Sequence, residues 1–350
     1  FQNSFSSAKD VLSILSNYQD TSRTAKTIAS TVSSKQDSHP RSASLHFIKV
    51  NPAGNITILV DTPIEDEARP TIANQLMAYN HLHAEQVGFL SYPSNGSPRE
   101  IPIRLTMMGG EFCGNATRSA ASYAVYARML APEADGSYQP LVYCSGSSAP
   151  IRCIVRPTDH PFIFYAEAHM PSPQTVDIIH ISFDTWTLPL HRVTFPGITH
   201  YIVPIRAWYE LSPSIVGNAF HTEGLLADAV SPTLHRLFDS LFSQLKCQEA
   251  AAAFGIMFYD TIRQEMVPVV YVDATESIFW EQSCASGTTA VGAALLCSHR
   301  GNQSLTLHQP GGTLTVHQRW HTVSHDDQSL CPQYYLDGPV QITAIGDAFL

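Results

Sequence analysis

The sequence is poor in charged residues, and lysine is especially rare. Only 14% of its 350 residues are Asp, Glu, Lys or Arg, and the formal net charge is −10. Nucleic acids and anionic lipids bind proteins through basic surfaces, so this composition argues against both as partners. No apolar run approaches the roughly 20 residues that a membrane-spanning helix needs. We therefore expect a protein that acts on a small molecule, with no nucleic acid and no membrane as partner.

Paired cysteine motifs are also missing. The seven cysteines form an odd number, without a Cys-x-x-Cys pair or regular spacing, which argues against a disulfide framework and a zinc site. The first residues show neither the basic nor the apolar region of a secretion signal, and we expect a cytoplasmic protein. His317, His321 and His325 would share one face of a helix, but their surroundings predict a strand. We interpret them as ordinary surface and core histidines and expect no metal.

Apolar residues, by contrast, make up 44% of the chain, enough for two cores of ordinary size. Residues 1–44 are rich in Ser, Thr and Lys and are predicted to form a partly helical or flexible extension. A proline-containing break near residue 172 divides the rest. We predict a first domain at 45–172, completed by a C-terminal strand at about 339–350, and a second domain at 173–338.

Local patterns predict many short strands and a few helices. Alternating apolar and β-branched residues predict strands at 45–50, 56–60, 87–91, 101–107, 141–144, 151–155, 162–169, 192–194, 200–205, 254–259, 267–271, 305–308, 313–317 and 340–344. Strong helix formers predict helices at 70–79, 117–130, 232–245 and directly after Cys284.

Two cysteines stand in matching local contexts. Cys113 lies in a Gly-Glu-Phe-Cys-Gly-Asn turn before an alanine-rich helix, and Cys284 lies in a Ser-Cys-Ala-Ser-Gly turn before another. A thiol at a helix N-terminus meets unpaired N–H groups and the positive end of the helix dipole, which predicts a pKa lowered from about 8.5 toward neutrality. One such cysteine is more often structural, but two in matching contexts favour catalysis.

The two turns carry the resemblance to a known family. Cys-Gly-Asn-x-x-Arg at 113–118 and Ser-Cys-x-Ser-Gly at 283–287 resemble the motifs of the cofactor-independent amino-acid racemases and epimerases related to diaminopimelate epimerase. The segments at 51–60, 72–78, 85–89 and 308–312 resemble the histidine racemase branch, which serves opine-type metallophore synthesis. Together these segments cover roughly residues 44–350.

This resemblance implies a fold and a reaction. The fold is α+β, with two pseudo-symmetric diaminopimelate epimerase-like domains, each a mostly antiparallel sheet wrapped around a central helix, and the active site lies in the cleft between them. The reaction is inversion at Cα without pyridoxal phosphate or another cofactor. A thiolate removes the Cα proton and a thiol on the opposite face returns one, which assigns these two roles to Cys113 and Cys284. A homodimer is compatible with this expectation.

Eight further residues are candidates for substrate binding: Asn55, Glu85, Gln86, Gly114, Asn115, Glu281, Ala285 and Ser286. The four at the helix starts would bind the α-carboxylate through backbone N–H groups. The amides at 55 and 86 match family positions that line the cleft, and the two glutamates would accept hydrogen bonds from the substrate ammonium or an imidazole. Taken singly, these amides are equally typical of turns and surfaces, and a glutamate is usually a solvated charge.

The expected substrate follows from polar residues that diaminopimelate epimerases have and this sequence lacks. Positions that are asparagine in diaminopimelate epimerases fall near Met107, Ile198 and Ala253, and segment 276–281 has no arginine. A charged distal carboxylate would lack partners there, so diaminopimelate should be rejected. Trp280 beside two glutamates suits a flat side chain with an N–H donor. We expect L-histidine, converted to D-histidine for metallophore synthesis.

Three alternatives stay open at this point. The protein could racemise another amino acid, or bind a ligand with the same fold but without catalysis. It could also be a cysteine hydrolase that pairs one thiol with a histidine such as His200, although that leaves the second cysteine motif without a role. Exchange of the Cα hydrogen with solvent distinguishes a racemase from the other two classes.

Overall fold

The computed structural model describes residues 44–92, 102–183, 186–211, 224–226, 232–248, 252–273, 276–296, 300–322 and 330–350. The predicted extension at 1–44, apart from its last residue, lies outside the described residues, as does His325. Residues 44–350 group into one compact unit. The domain boundary expected at residue 172 therefore stays a prediction.

Strands dominate the described part of the chain. They are β1 (Ser44–Asn51), β2 (Thr57–Val60), β3 (Gln86–Ser91), β4 (Ile103–Met107), β5 (Leu141–Cys144), β6 (Ile151–Pro157), β7 (Ile163–Met170), β8 (Thr175–Phe183), β9 (Trp186–Phe195), β10 (Ile198–Pro204), β11 (Ala253–Asp260), β12 (Glu265–Val272), β13 (Ser277–Trp280), β14 (Gln303–Gln309), β15 (Gly312–Thr322) and β16 (Leu330–Phe349). Each predicted strand is found, but β9 and β16 are much longer than the predicted strands at 192–194 and 340–344. The strands β8 and β13 are additional to the prediction.

Five α-helices join these strands in the described residues. They are α1 (Arg69–Met77), α2 (Gly114–Tyr126), α3 (Ile205–Leu211), α4 (Pro232–Gln248) and α5 (Ala285–Leu296), and a 3-10 turn at Asp66–Ala68 precedes α1. Helix α2 begins at Gly114, before the predicted 117. It ends before the predicted 130 because Arg128 adopts a left-handed φ of 55°. Helix α3 is additional to the prediction. None of these helices is long and apolar enough to cross a membrane.

Eight strands close into a ring around α2. Strands β1 to β7 pair in sequence order, and β16 pairs with both β7 and β1. Every residue of α2 from Gly114 to Val125 is buried, as expected for a helix enclosed on all sides. Ala116, Ala120 and Ala124 lie in the core of this ring, and their small side chains let the sheet approach the helix closely.

The remaining strands continue from β16 and curve around α5. Their order is β15, β14, β12, β11, β10, β9 and β8, with β13 on β12, and α5 packs on strands from both ends of this series. Most pairings in the whole sheet are antiparallel, as predicted. Strand β16 joins the two parts because its residues 330–337 pair with β15 and residues 341–349 pair with β1.

Candidate active site

Cys113 forms the N-cap of α2. Its backbone is extended (φ −130°, ψ 113°), and its Sγ accepts a hydrogen bond from the Ala116 N–H at 3.4 Å. The thiol donates to Gln86 Oε1 at 3.0 Å. The sulfur thus takes the place that a Ser or Asp oxygen usually has at a helix start.

Cys284 stands in the same position before α5. Its Sγ accepts from the Gly287 N–H at 3.3 Å and lies 3.5 Å from Ser286 Oγ. The Glu281 carboxyl lies close enough to the thiol to act on it electrostatically. Both predicted cysteine turns therefore have the same construction, in which the thiol caps its own helix through the third residue.

The two helix starts face each other at close range. A Cβ added to Gly114 would lie 3.0 Å from Ala285 Cβ and 2.9 Å from the Met170 side chain, so only glycine fits at 114. Asn115 Nδ2 reaches the Ser283 carbonyl at 3.5 Å. Within the described residues, no acceptor contacts the backbone N–H groups of Gly114, Asn115, Ala285 and Ser286. These four N–H groups form a ready anion site.

A polar network leads from Cys113 to the surface. Gln86, which accepts from the Cys113 thiol, donates through Nε2 to Asn55 Oδ1 and to Thr57 Oγ1. Asn55 Nδ2 in turn donates to Glu85 Oε2 at 2.9 Å. The structure thereby joins Asn55 of segment 51–60 to Glu85 and Gln86 of segment 85–89, and adds Thr57 to them.

Glu85 and Glu281 carry unusual acidities. Desolvation raises the pKa of Glu281 to about 7, and desolvation together with the charge of Glu281 raises the pKa of Glu85 to about 7. The two carboxyls therefore lie within electrostatic range of each other. Glu281 Oε2 is buried without a hydrogen-bond partner among the described residues, which leaves it available to a donor from outside the chain.

The shift at Glu281 makes a prediction for stability. The native state keeps a proton on Glu281 up to about pH 7, whereas the unfolded chain releases it near 4.5. Stability is therefore lost as the pH rises from about 4.5 through 7. We expect Glu281→Gln to lose less thermal stability than the parent between pH 5 and pH 8, measured by circular dichroism melts. Glu210→Gln, at an exposed site, is the control, and an unchanged pH dependence in Glu281→Gln would contradict the shift.

The expectation that the pKa of both thiols is lowered is wrong. Desolvation raises the pKa of Cys113 to about 12, and the hydrogen bond from Ala116 offsets only part of that rise. Desolvation and the charge of Glu281 likewise raise the pKa of Cys284 well above its usual value. A helix N-terminus stabilises a thiolate, but removal of water from around the sulfur costs more here.

His200 and Trp280 do not have the surroundings that a hydrolase base and a substrate-contacting ring would need. His200 is fully buried, and its Nε2 lies 2.9 Å from Ser286 Oγ. Burial lowers the pKa of His200 to about 3, which makes it a weak base for a hydrolase dyad. The Trp280 ring packs on His235 and Phe238 of α4. Phe112, which directly precedes Cys113, packs against the buried cluster around α2 and against the one around α5.

In the described part of the chain, one cluster of three side chains consists of residue types that bind metal ions. Glu167, His317 and Asp337 place one ligand atom each within 4.8 Å of one another. Arg319 already binds both oxygens of Glu167, and Arg118 acts electrostatically on Asp337. Two carboxylates are thus balanced by two guanidinium groups, and this cluster fits an ion-pair network better than a metal centre.

Comparisons with known proteins agree with this geometry. A family model described as the histidine racemase CntK N-terminal domain matches residues 44–225 and 218–349. A histidine racemase from Fusobacterium nucleatum subsp. nucleatum is 35% identical over 312 residues, covering 87% of this chain and 97% of the relative. A histidine racemase from Staphylococcus aureus is 27% identical over 310 residues, covering 87% of this chain and 98% of the relative.

Solved structures give the same fold. A hydroxyproline epimerase from Agrobacterium vitis, with bound trans-4-hydroxy-L-proline, superposes with a TM-score of 0.59 at 12% identity, covering 89% of this chain and 94% of that one. A probable proline racemase from Agrobacterium radiobacter superposes with a TM-score of 0.55 at 11% identity, covering 87% and 93%. The family match and the curated relatives together show that this chain belongs to the histidine racemase family.

Proposed function

We propose that the protein interconverts L-histidine and D-histidine without pyridoxal phosphate, with Cys113 and Cys284 as the two acid–base groups. The observation that carries this proposal is the meeting of two helix starts, each capped by a cysteine, at Gly114 and Ala285. The histidine racemases among its relatives support the choice of reaction.

The reaction balances between the two sulfurs. The thiolate of one cysteine takes the Cα proton and forms an S–H bond, while the electron pair of the broken C–H bond spreads into the α-carboxylate. The S–H of the other cysteine then gives its proton to the opposite face of Cα, which leaves that sulfur as the thiolate. The two cysteines exchange roles when the opposite enantiomer reacts.

The α-carboxylate is held by the free N–H groups of Gly114, Asn115, Ala285 and Ser286. Their dipoles point to the place where negative charge grows as Cα loses its proton, so they stabilise the transition state more than the ground state. Loss of one such donor typically lowers kcat by about 10²–10³-fold.

Formation of the thiolate then depends on the substrate. Because burial raises the pKa of both thiols, a nearby positive charge is needed to favour ionisation. The α-ammonium of a bound amino acid supplies that charge and shares the site with Glu85 and Glu281. The thiols thus become reactive when the amino acid binds.

Glu281 and Glu85 are the proposed partners of the imidazole. The unpartnered Oε2 of Glu281 is a buried acceptor, and Glu85 is fixed by Asn55. An imidazole N–H that donates to either carboxyl replaces the water lost on binding.

The contacts of the lysines in the described part of the chain support a reaction without pyridoxal phosphate. Lys49 Nζ donates to the Leu82 carbonyl, and Lys246 lies over the Phe242 and Tyr271 rings.

We further propose that the halves at 45–172, with 339–350, and at 173–338 act as pseudo-symmetric domains. The setting proposed for this reaction is the cytoplasm, within metallophore synthesis, with a homodimer as the assembly.

Solvent exchange tests the proposed reaction. Purified protein is incubated with each L-amino acid in deuterated buffer, and Cα deuterium and the D-enantiomer are measured by NMR and chiral chromatography. We expect D-histidine with deuterium at Cα, approaching equal amounts of the two enantiomers. A binding protein or a hydrolase would give neither product, and faster reaction of another amino acid would replace histidine as the substrate.

A further inference from the structure

The main chain of Cys284 is held by a closed ring of hydrogen bonds. Its N–H donates to Gln309 Oε1 at 2.9 Å, Gln309 Nε2 donates to Thr288 Oγ1 at 2.9 Å, and Thr288 Oγ1 donates to the Cys284 carbonyl at 2.7 Å. Gln309 is 3% exposed and Thr288 is fully buried. Each group in the ring donates once and accepts once, so the ring leaves none of them unpaired.

A similar arrangement surrounds Cys113. Thr117, four residues after Cys113 just as Thr288 is four after Cys284, donates to the Cys113 carbonyl at 2.7 Å. The Cys144 sulfur lies near the Cys113 backbone N–H and the Thr117 side chain. Cys144 therefore stands where Gln309 stands in the other half. The carbonyl of each cysteine thus accepts from the hydroxyl of a threonine four residues later.

We propose that Gln309, acting through its ring with Thr288, is a positioning residue for Cys284. The inference rests on the proposed role of Cys284 as an acid–base group. At a helix start, the N-cap N–H is one of the donors that the helix itself cannot satisfy. Gln309 takes that donor, and the Sγ takes the Gly287 N–H. The N–H groups of Ala285 and Ser286 are then left for the substrate, at a fixed distance from the thiol.

Removal of Gln309 would leave the buried Cys284 N–H without an acceptor, and the Thr288 hydroxyl would keep only its bond to the Cys284 carbonyl. The turn would rotate toward another acceptor, carrying the thiol with it. Proton transfer to carbon is sensitive to such movement, since a displacement of about 1 Å can lower the rate by roughly 10²-fold. Glutamine is suited to this place because it accepts and donates through one planar group.

The test compares two buried glutamines at opposite ends of the same helix. Gln309 holds the start of α5, whereas Gln318 donates to the Leu296 carbonyl at the end of α5. We expect Gln309→Met to lower kcat by about 10–10²-fold with a smaller change in KM, and Gln318→Met to lower the melting temperature with little effect on kcat. Thr288→Val, which opens the same ring, should follow Gln309→Met.

A second readout separates positioning from general damage. If only Cys284 is displaced, Cys113 still removes the Cα proton from the enantiomer that presents it. Deuterium wash-in with retention should then rise several-fold relative to inversion for that enantiomer, and should not do so in Gln318→Met. Equal losses of wash-in and inversion in Gln309→Met, or a kcat like that of Gln318→Met, would overturn the inference. Cys284→Ser is the reference, because full activity in that variant would contradict the proposed function instead.

Discussion

Replacement of either Cys113 or Cys284 by serine is expected to lower kcat for racemisation by about 10²–10⁴-fold, the usual range for loss of an acid–base group. A serine hydroxyl has a far higher pKa than a thiol, so neither ammonium nor helix N–H groups would ionise it near neutral pH. Both thiols cap their helices with long N–H contacts of 3.3–3.4 Å. A hydroxyl can make the same contact, and serine is itself a favourable N-cap.

The melting temperature should therefore change little in either variant. Cys247→Ser, at an exposed position on α4, controls for the loss of a thiol and should keep full activity. Racemisation and solvent exchange at Cα are measured for both enantiomers of histidine. A Cys113→Ser or Cys284→Ser protein that keeps most of the parent kcat would rule out the two-thiol scheme, provided that its circular dichroism spectrum matches the parent.

The cysteine turns could be predicted because their signals are local. A small-residue turn before an alanine-rich segment indicates a helix start, and Cys113 and Cys284 indeed occupy the cap positions. The same local argument failed for the thiol pKa. Desolvation depends on everything packed around the sulfur, including Met170 and Ala285 near Gly114, and no sequence window contains those neighbours.

The partners of the cysteines show a similar limit. Gln309 lies 25 residues after Cys284, at the end of β14. Nothing in its own segment indicates a hydrogen bond to the Cys284 turn. The glycines near Gln309 do indicate close packing. A Cβ on Gly311 would lie 2.6 Å from Gly54 Cα, so the two turns at 51–55 and 310–312 pack backbone against backbone.

The two strands that were not predicted contain β-branched and aromatic residues, so their local propensity permits a strand but does not select one. The strand β13 (Ser277–Trp280) is short, and β8 (Thr175–Phe183) lies at the edge of the sheet, paired only with β9 among the described strands. Both depend on pairing with a neighbour that is fixed by the rest of the fold. The consequence reaches the site, since β13 directs Trp280 onto α4 and leaves Glu281 beside Cys284.

Discrimination against diaminopimelate is expected to be the largest substrate effect. The positions that the resemblance to diaminopimelate epimerases assigns to its distal amino-acid end are apolar, and Met107 is 1% exposed. Each missing charge-assisted hydrogen bond costs about 1.5–3 kcal/mol. Two such losses correspond to a preference for histidine of about 10²–10⁴-fold in kcat/KM.

Methylated histidines make this prediction sharper. Methylation of an imidazole nitrogen removes one N–H donor while the ring stays flat and apolar, so the methyl isomer that blocks the donor to Glu281 should lose more kcat/KM than the other isomer. At pH 8, above the raised pKa of about 7 for Glu281, Glu281→Gln should reduce that difference, because a neutral amide is a weaker acceptor than a carboxylate. Rates for L-histidine, both methylhistidines and diaminopimelate are measured with the same enzyme preparation. Diaminopimelate turnover that matches histidine would refute the apolar pocket, whereas equal rates for the two methyl isomers would remove Glu281 from imidazole recognition and leave Glu85 as the acceptor to test.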